Sequence, residues 1–253
     1  MQQWALITGA STGIGYELAK LLAADHFNLV LVARNETRLN QVANELKAAH
    51  GTTTRILPKD LSDSATPQEI FEASRDTPIS VLINNAGFGS MRPFAEEDLK
   101  CSVDMIRVNV ESLVQLTHLF LRPMLERKAG RILNVASTAA FQPGPFTAIY
   151  YASKAFVFSF SVAVAEEVSG TGVTVTTLCP GFTKTEFHER AGMKRSSGIP
   201  MMSAEAVATA GYRGMLRGKR IVIPGTVNKI TSCLAHCMPV NLTSRIVRKI
   251  NGK

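Results

Sequence analysis

Trp4-Ala5-Leu6-Ile7-Thr8 is a short apolar run that ends directly on Gly9-Ala10-Ser11-Thr12-Gly13-Ile14-Gly15. The run has the length and character of a buried strand. The residues after it, Tyr16 to Ala24, read as a helix with Leu18, Leu21 and Leu22 inward. Gly9, Gly13 and Gly15 let the backbone turn sharply and approach an anion, at which the first free N–H groups of the helix point. Strand, glycine-rich turn and helix together are the context of a dinucleotide-binding loop. Three residues separate the first two glycines here, where the common pattern has one, and an ordinary tight turn is the alternative for this segment taken alone.

The rest of the chain continues the alternation that a parallel sheet requires. Strands are expected near Leu29–Ala33, Thr54–Leu57, Val81–Asn84, Gly130–Ala136, Val173–Leu178 and Ile221–Ile223. Helices are expected over Glu36–Ala49, Gln68–Ser74, Tyr150–Val168, and one long stretch from about Ser102 to Arg127. The 253 residues suffice for one α/β domain with a sizeable core, 1–253, without a second domain. Ligands of such sheets gather at the carboxyl ends of the strands. Gly9, Asn85, Ser137 and Pro180 all follow expected strands and meet along that edge.

Tyr150 and Lys154 stand four residues apart in Tyr150-Tyr151-Ala152-Ser153-Lys154, and so share a helix face. An ammonium about 5 Å from a phenol, at an effective dielectric of about 20, is worth roughly 3 kcal/mol. That would lower a tyrosine pKa by roughly two units, enough to make it a proton donor or acceptor toward an alkoxide or alcohol. A surface tyrosine beside a solvated lysine is the bland alternative. Tyr151, three residues from Lys154, competes for the role on spacing alone.

Thr8-Gly9 through Gly15, Asn84-Asn85-Ala86-Gly87, Asn109, Ser137, Tyr150 with Lys154, and Pro180-Gly181 occur in the order seen in short-chain dehydrogenases/reductases, and over about residues 4–225 the chain resembles that family. The resemblance implies a single Rossmann-type doubly wound parallel sheet of about seven strands, flanked by helices, and NAD(P)-dependent oxidoreduction. It assigns Tyr150 as the proton donor, Ser137 as the residue orienting the carbonyl oxygen, and Lys154 as the group that tunes Tyr150 and bonds the nicotinamide ribose. It assigns Asn109 to a water linking Lys154 to solvent, selects Tyr150 over Tyr151, and leaves Tyr151 lining the substrate side with Ser137 and Tyr150. Hydride then passes between nicotinamide and a ketone or alcohol, 3-oxoacyl-like substrates included. A non-catalytic NADP-sensing protein and an epimerase or isomerase on the same fold are the alternatives. The intact catalytic set argues against a pure sensor.

The resemblance places the cofactor on Gly9, Ser11, Thr12, Gly13, Ile14 and Gly15. Asp60-Leu61 resembles the pair at the adenine, Asn85-Ala86-Gly87 the loop along the adenosine ribose, and Thr183 and Thr185 after Pro180-Gly181 the residues at the nicotinamide carboxamide. NAD-binding sites commonly carry an acid about twenty residues past the glycine turn, at the end of the second strand. Here the strand ends in Ala33-Arg34. A guanidinium at Arg34, assisted by Arg38 one helical turn on, suits a 2′-phosphate, so NADP(H) is favoured over NAD(H).

The helix after the tyrosines is apolar nearly all round, from Ala155 through Val164, so its back is expected to be buried against another subunit in a homodimer or homotetramer, with burial beneath the chain's own C-terminal segment as the alternative. No metal spacing occurs. Cys101, Cys179, Cys233 and Cys237 read as reduced thiols, with packing expected for the last two, and a cytoplasmic location follows. A first strand near Trp4 leaves no room for a signal peptide, and no long uncharged apolar run announces a membrane span.

The net charge is +8, and thirteen Lys and Arg stand against three Glu from Lys184 onward. Lys184, Arg190, Lys194 and Arg195 fall in an expected substrate lid at about 183–202, and within the basic tail at about 226–253 the stretch Leu242–Ile250 sets Leu242, Ile246, Val247 and Ile250 against Arg245, Arg248 and Lys249 in an amphipathic pattern. A solvated positive face is the favoured reading. An anionic substrate handle (carrier-protein phosphopantetheine, coenzyme A or a carboxylate) comes next and peripheral membrane contact last. Nothing resembles a nucleic-acid surface.

Overall fold

The computed structural model describes residues 3–192 and 201–252. The part of the expected lid at 193–200, with Lys194 and Arg195, lies outside the described residues. Seven parallel strands run in the order β3-β2-β1-β4-β5-β6-β9. They are β1 Trp4–Thr8, β2 Asn28–Ala33, β3 Thr54–Pro58, β4 Ile79–Asn84, β5 Gly130–Val135, β6 Val173–Leu178 and β9 Ile221–Val222. Thr183–Lys184 (β7) and Met202–Ser203 (β8) pair separately.

Period-2 geometry divides the strand residues between two cores. Ala5, Ile7, Leu29, Leu31, Val81 and Ile83 face one side and pack with Leu18 and Leu22 of α1 (Gly13–Ala24), Leu39 and Val42 of α2 (Glu36–His50) and Val207 and Met215 of α8 (Ala204–Leu216). Leu6, Val30, Val32, Leu82 and Ile132 face the other. There they meet Ile70 of α3 (Thr66–Ala73), Leu116 and Phe120 of α5 (Ser112–Glu126) and Val164 of α6 (Ala148–Glu167). Burial on both faces is why these strands read as continuous apolar runs. The strand order reverses between β1 and β4, so the crevice between their carboxyl ends is where such sheets bind ligands.

The long helix expected over 102–127 is divided. It begins as α4 (Leu99–Ile106), passes through a π-helical turn at Arg107–Glu111, and resumes as α5. One widened turn rotates Asn109 inward, where it is 1% exposed. By length and composition α6 is apolar enough to cross a membrane, which the interruption by Tyr150, Tyr151 and Lys154 hid in the sequence. Its packing against η-turn residues Thr138–Phe141 and strands β5 and β6 makes it a layer of this fold. The chain ends in α9 (Thr226–Cys237) and α10 (Val240–Asn251), after the short α7 (Phe187–Arg190) in the lid region.

Candidate active site

The glycine turn is held rigidly from below. Thr8 Oγ1 accepts the N–H groups of Asn85 and Ala86, each at 3.0 Å, and the Asn85 carboxamide donates to the Thr8 and Gly9 carbonyls at 3.0 and 3.1 Å. Asn85 thus braces the turn, a role the sequence did not suggest. Gly9 and Gly13 have φ of +65° and +60°, a region that favours glycine. A Cβ on Gly15 would lie 2.3 Å from the Gly9 carbonyl oxygen, so the turn closes only with glycine there. Gly13 lies under Thr185, whose Cγ2 a Cβ there would approach to 3.1 Å. Ser11, Thr12 and Ile14 are half-buried on the same turn, and α1 begins at Gly13 with no acid in its first turn. Free N–H groups there can therefore meet an anion unopposed.

Arg34 and Arg38 flank this turn. Arg38 donates from Nε to the Ser11 carbonyl at 3.3 Å, tying α2 to the loop, while Asn35 caps α2 through the Arg38 N–H. Arg34 is 72% exposed, with a guanidinium nitrogen 3.9 Å from Asp60. Burial alone would raise the Asp60 carboxyl, but hydrogen bonds from the Ser62 N–H and hydroxyl, with Arg34, hold it below the usual range. Leu61 turns into the core beside Val30 and Val32.

At the other end of the crevice, Lys154 is buried and donates to the Val135 carbonyl at 2.9 Å. A Cβ on Gly87 would sit 3.0 Å from Asn109 Oδ1 and 3.3 Å from Lys154 Nζ, so the bare Gly87 backbone lets these groups approach. Asn109 exchanges two hydrogen bonds with the Phe88 backbone, accepting at 3.0 Å and donating at 2.9 Å, and donates to Ser153 Oγ at 3.1 Å. Ser153 in turn donates to the Tyr150 carbonyl at 2.7 Å. Ser153 escaped sequence reading because serines are ordinary in such a helix. The buried Thr117, Asn134 and Ser161, joined through Asn84 of the Asn84–Gly87 motif, were also missed. For Asn134 the signal was a polar residue inside the apolar run of β5.

Ser137 follows β5, accepts from the Ala139 N–H at 3.1 Å and donates to the Pro180 carbonyl at 3.4 Å, which joins the ends of β5 and β6. It also interacts with the Tyr150 phenol. Thr183 donates to the Gly181 carbonyl at 3.0 Å, and Thr185 accepts the Phe187 N–H at 3.4 Å. Phe187 brings its ring to 5.3 Å from that of Tyr150. The adjacent Tyr151 turns toward the chain's end. Its ring lies flat against Gly144, and its phenol interacts with Asn251 of α10.

The electrostatics correct one expectation. Tyr150 is pushed up to about 12, by burial first, with Ser137 opposing and Tyr151 adding to the rise. Lys154 is pushed down to about 8, again by burial, with Cys179 opposing. The lysine amine stands 5.8 Å from the phenol ring centroid, committed to the Val135 carbonyl. Loss of water is the largest influence on both groups and moves each toward its neutral form. The neighbouring Cys179 is raised to about 12 by burial, which makes it an inert thiol.

Residues 3–196 match the family model for short chain dehydrogenase. The chain belongs to the short-chain dehydrogenase family. As an oxidoreductase of this family it is 34% identical over 240 residues to a ketoacyl reductase of Nostoc sp., covering 92% of this chain and 82% of that one. It is 33% identical over 224 residues to a very-long-chain 3-oxoacyl-CoA reductase of Anas platyrhynchos, covering 85% and 71%. Among solved structures, a short-chain dehydrogenase from Sphingobium yanoikuyae in complex with NADPH superposes with a TM-score of 0.84 at 29% identity, covering 94% of this chain and 96% of that one. A family member from Burkholderia phymatum in complex with NAD gives 0.83 at 25%, covering 92% of both. A nicotinamide cofactor fits the present short-chain dehydrogenase too, because the turn from Gly9 to Gly15 closes only with glycine at both ends and opens on a helix N-terminus.

Proposed function

We propose that this short-chain dehydrogenase is an NADPH-dependent carbonyl reductase, or secondary-alcohol dehydrogenase in reverse, with 3-oxoacyl thioesters as its leading substrate class. The observation that carries the reading is the convergence of Tyr150, Ser137, Lys154 and Asn109 at the crevice opposite the glycine turn. A bound nicotinamide supplies or accepts the hydride. Tyr150 Oη protonates the carbonyl oxygen during reduction, and Ser137 Oγ holds that oxygen in line with the phenol. Lys154 contributes three donors, one of them fixed on Val135, and keeps positive charge close to the developing oxyanion. Asn109 positions the Phe88 backbone and, through Ser153, the helical turn that bears Tyr150. The 3-oxoacyl preference draws on the names of the relatives and on the cationic C-terminal half of the chain.

Arg34 carries the cofactor preference in this reading. It stands free of the core at the end of β2, and its long ion pair with Asp60 is too exposed to hold it. A charge-assisted hydrogen bond to a 2′-phosphate is worth about 1.5–3 kcal/mol. Arg34→Asp is therefore expected to lower kcat/KM with NADPH by about ten- to hundred-fold and to leave kcat/KM with NADH equal or higher. The measurement is cofactor oxidation over a panel of ketones, aldehydes and 3-oxoacyl thioesters at two salt concentrations. Equal losses with both cofactors would remove Arg34 from the phosphate site, and no turnover of any carbonyl would remove the function.

Homo-oligomer formation through α4 and α6 is the second element of the proposal. Leu99, Val103 and Ile106 of α4 are 74, 37 and 44% exposed, and Phe156 of α6, stacked on Phe160, is 44% exposed. The expected result is a dimer or tetramer at micromolar concentration in sedimentation velocity, shifted toward monomer by Phe156→Asp. A monomeric native chain would refute it.

A further inference from the structure

The helix α9 is built inside out. At 100° per residue, Asn228 and Ser232 share the inward face; Ser232 is 4% exposed and Asn228 donates to the Pro224 carbonyl at 2.7 Å. On the opposite face Val227, Ile230 and Leu234 are 59, 56 and 55% exposed. Cys233 and Cys237 are exposed as well, so the packing expected of them is absent. A helix that covers a core shows the reverse pattern.

The next helix, α10, buries Thr243 and Val247 and leaves Leu242, Ile246 and Ile250 exposed at 47, 41 and 43%, in a row spaced by four. The exposed cations Arg245 and Lys249 border that row, and Arg248 lies beyond them. Phe94, 65% exposed, adjoins Arg245 and Arg248 across a groove floored by Pro145 and Phe146. Half of the fourteen exposed large apolar side chains among the described residues fall between Val227 and Ile250. Residues 206–253 hold nine Lys and Arg and no Asp or Glu.

We propose that α9 and α10 form an interfacial element that docks this protein on an anionic lipid bilayer. Apolar rows bordered by cations, with no acid in residues 206–253, match an acyl boundary beneath negatively charged headgroups. A second copy of the chain fits worse. A two-fold interface sets each patch against itself, and here that would bring the cations of α10 onto each other with no acid on α9 or α10 to pair them. Docking would also place the bilayer beside the site, because Asn251 donates to the Pro145 carbonyl and to Thr147 Oγ1 at 3.0 and 3.2 Å, on the loop that leads into Tyr150.

The test is co-sedimentation of the full chain with vesicles of phosphatidylcholine alone and with about 30% phosphatidylserine, a typical anionic content for such work. Binding is expected to the anionic vesicles, weaker by ten-fold or more on the neutral ones, and lowered by salt. At a contribution of about five-fold per cation, Arg245→Gln with Lys249→Gln should weaken partitioning by about thirty-fold. Ile230→Ser with Leu234→Ser should weaken it by ten-fold or more. Both pairs should keep the native circular-dichroism melt and the native sedimentation coefficient, which separates lost docking from lost folding. Absence of binding to anionic vesicles overturns the proposal, as does equal binding to neutral ones. Apolar-row variants that bind vesicles like the native chain but change its sedimentation coefficient also overturn it, and assign the face to a protein partner.

Discussion

Tyr150→Phe is expected to lower the turnover number for ketone reduction about a thousand-fold while changing cofactor affinity by less than a few-fold. Removing a positioned general acid costs about 10²–10⁴ in rate. The substitution deletes one oxygen and leaves the ring in place against Phe187 and Tyr151, so packing is preserved. Tyr151→Phe should retain activity within about ten-fold on the same scale, because the Tyr151 phenol faces Asn251. The pH dependence follows from the two shifted groups. The phenol stays protonated up to about 12, so it does not limit reduction near neutrality. Lys154 loses its charge near 8, so the rate of reduction should fall as pH rises through about 8. Stopped-flow and steady-state kinetics with cofactor binding by fluorescence decide it. A Tyr150→Phe enzyme that keeps most of its turnover would falsify the assignment, and loss of activity only in Tyr151→Phe would transfer it.

Lys154→Met should be nearly inactive and yet more stable than the native chain at neutral pH. The folded protein holds this lysine at a pKa of about 8, against an ordinary 10.5. Below about 8 the amine is charged in both folded and unfolded chains, and the folded state bears the whole cost of burying it. Between about 8 and 10.5 the folded chain has released a proton that the unfolded chain retains, so stability rises with pH. Above 10.5 the cost is gone. The shift corresponds to roughly 3 kcal/mol at about 1.4 kcal/mol per pKa unit. Losing the hydrogen bond to the Val135 carbonyl returns about 1 kcal/mol or more. The net gain at pH 7 is then about 1–2 kcal/mol, or a few degrees in Tm for a chain of this size. It should shrink as pH approaches 10.5. Activity should fall by about a thousand-fold in parallel, since both charge and proton chemistry at the site depend on this amine. A variant that loses stability along with activity would mean that Lys154 is a structural residue.

Much of this protein is legible without coordinates because the signals are local. A strand buried on both faces is mostly apolar, so β1, β2 and β4 announce themselves, and the glycine turn after β1 carries the steric demand that only Gly9, Gly13 and Gly15 meet. Spacing of four puts Tyr150 and Lys154 on one helix face regardless of what surrounds them. The carboxyl edge of the sheet follows from the alternation of strands and helices.

Other properties depend on groups far apart in sequence. Whether Lys154 lowers the Tyr150 pKa is settled by the competition between desolvation and charge. Here burial is the largest influence on both groups and moves each toward its neutral form, which spacing alone does not reveal. The inward turn of Asn109 needs a π-helical widening that no residue propensity encodes. Asn85 proves to be a brace because Thr8 and Gly9 face it across the strand reversal. The outward apolar row of α9 is apparent only once Ser232 is found on the buried side. Chain periodicity by itself determined the sheet, the crevice and the catalytic spacing. Tertiary packing decided protonation, bracing and which faces meet water, because desolvation and burial are set by neighbours that the chain brings together only on folding.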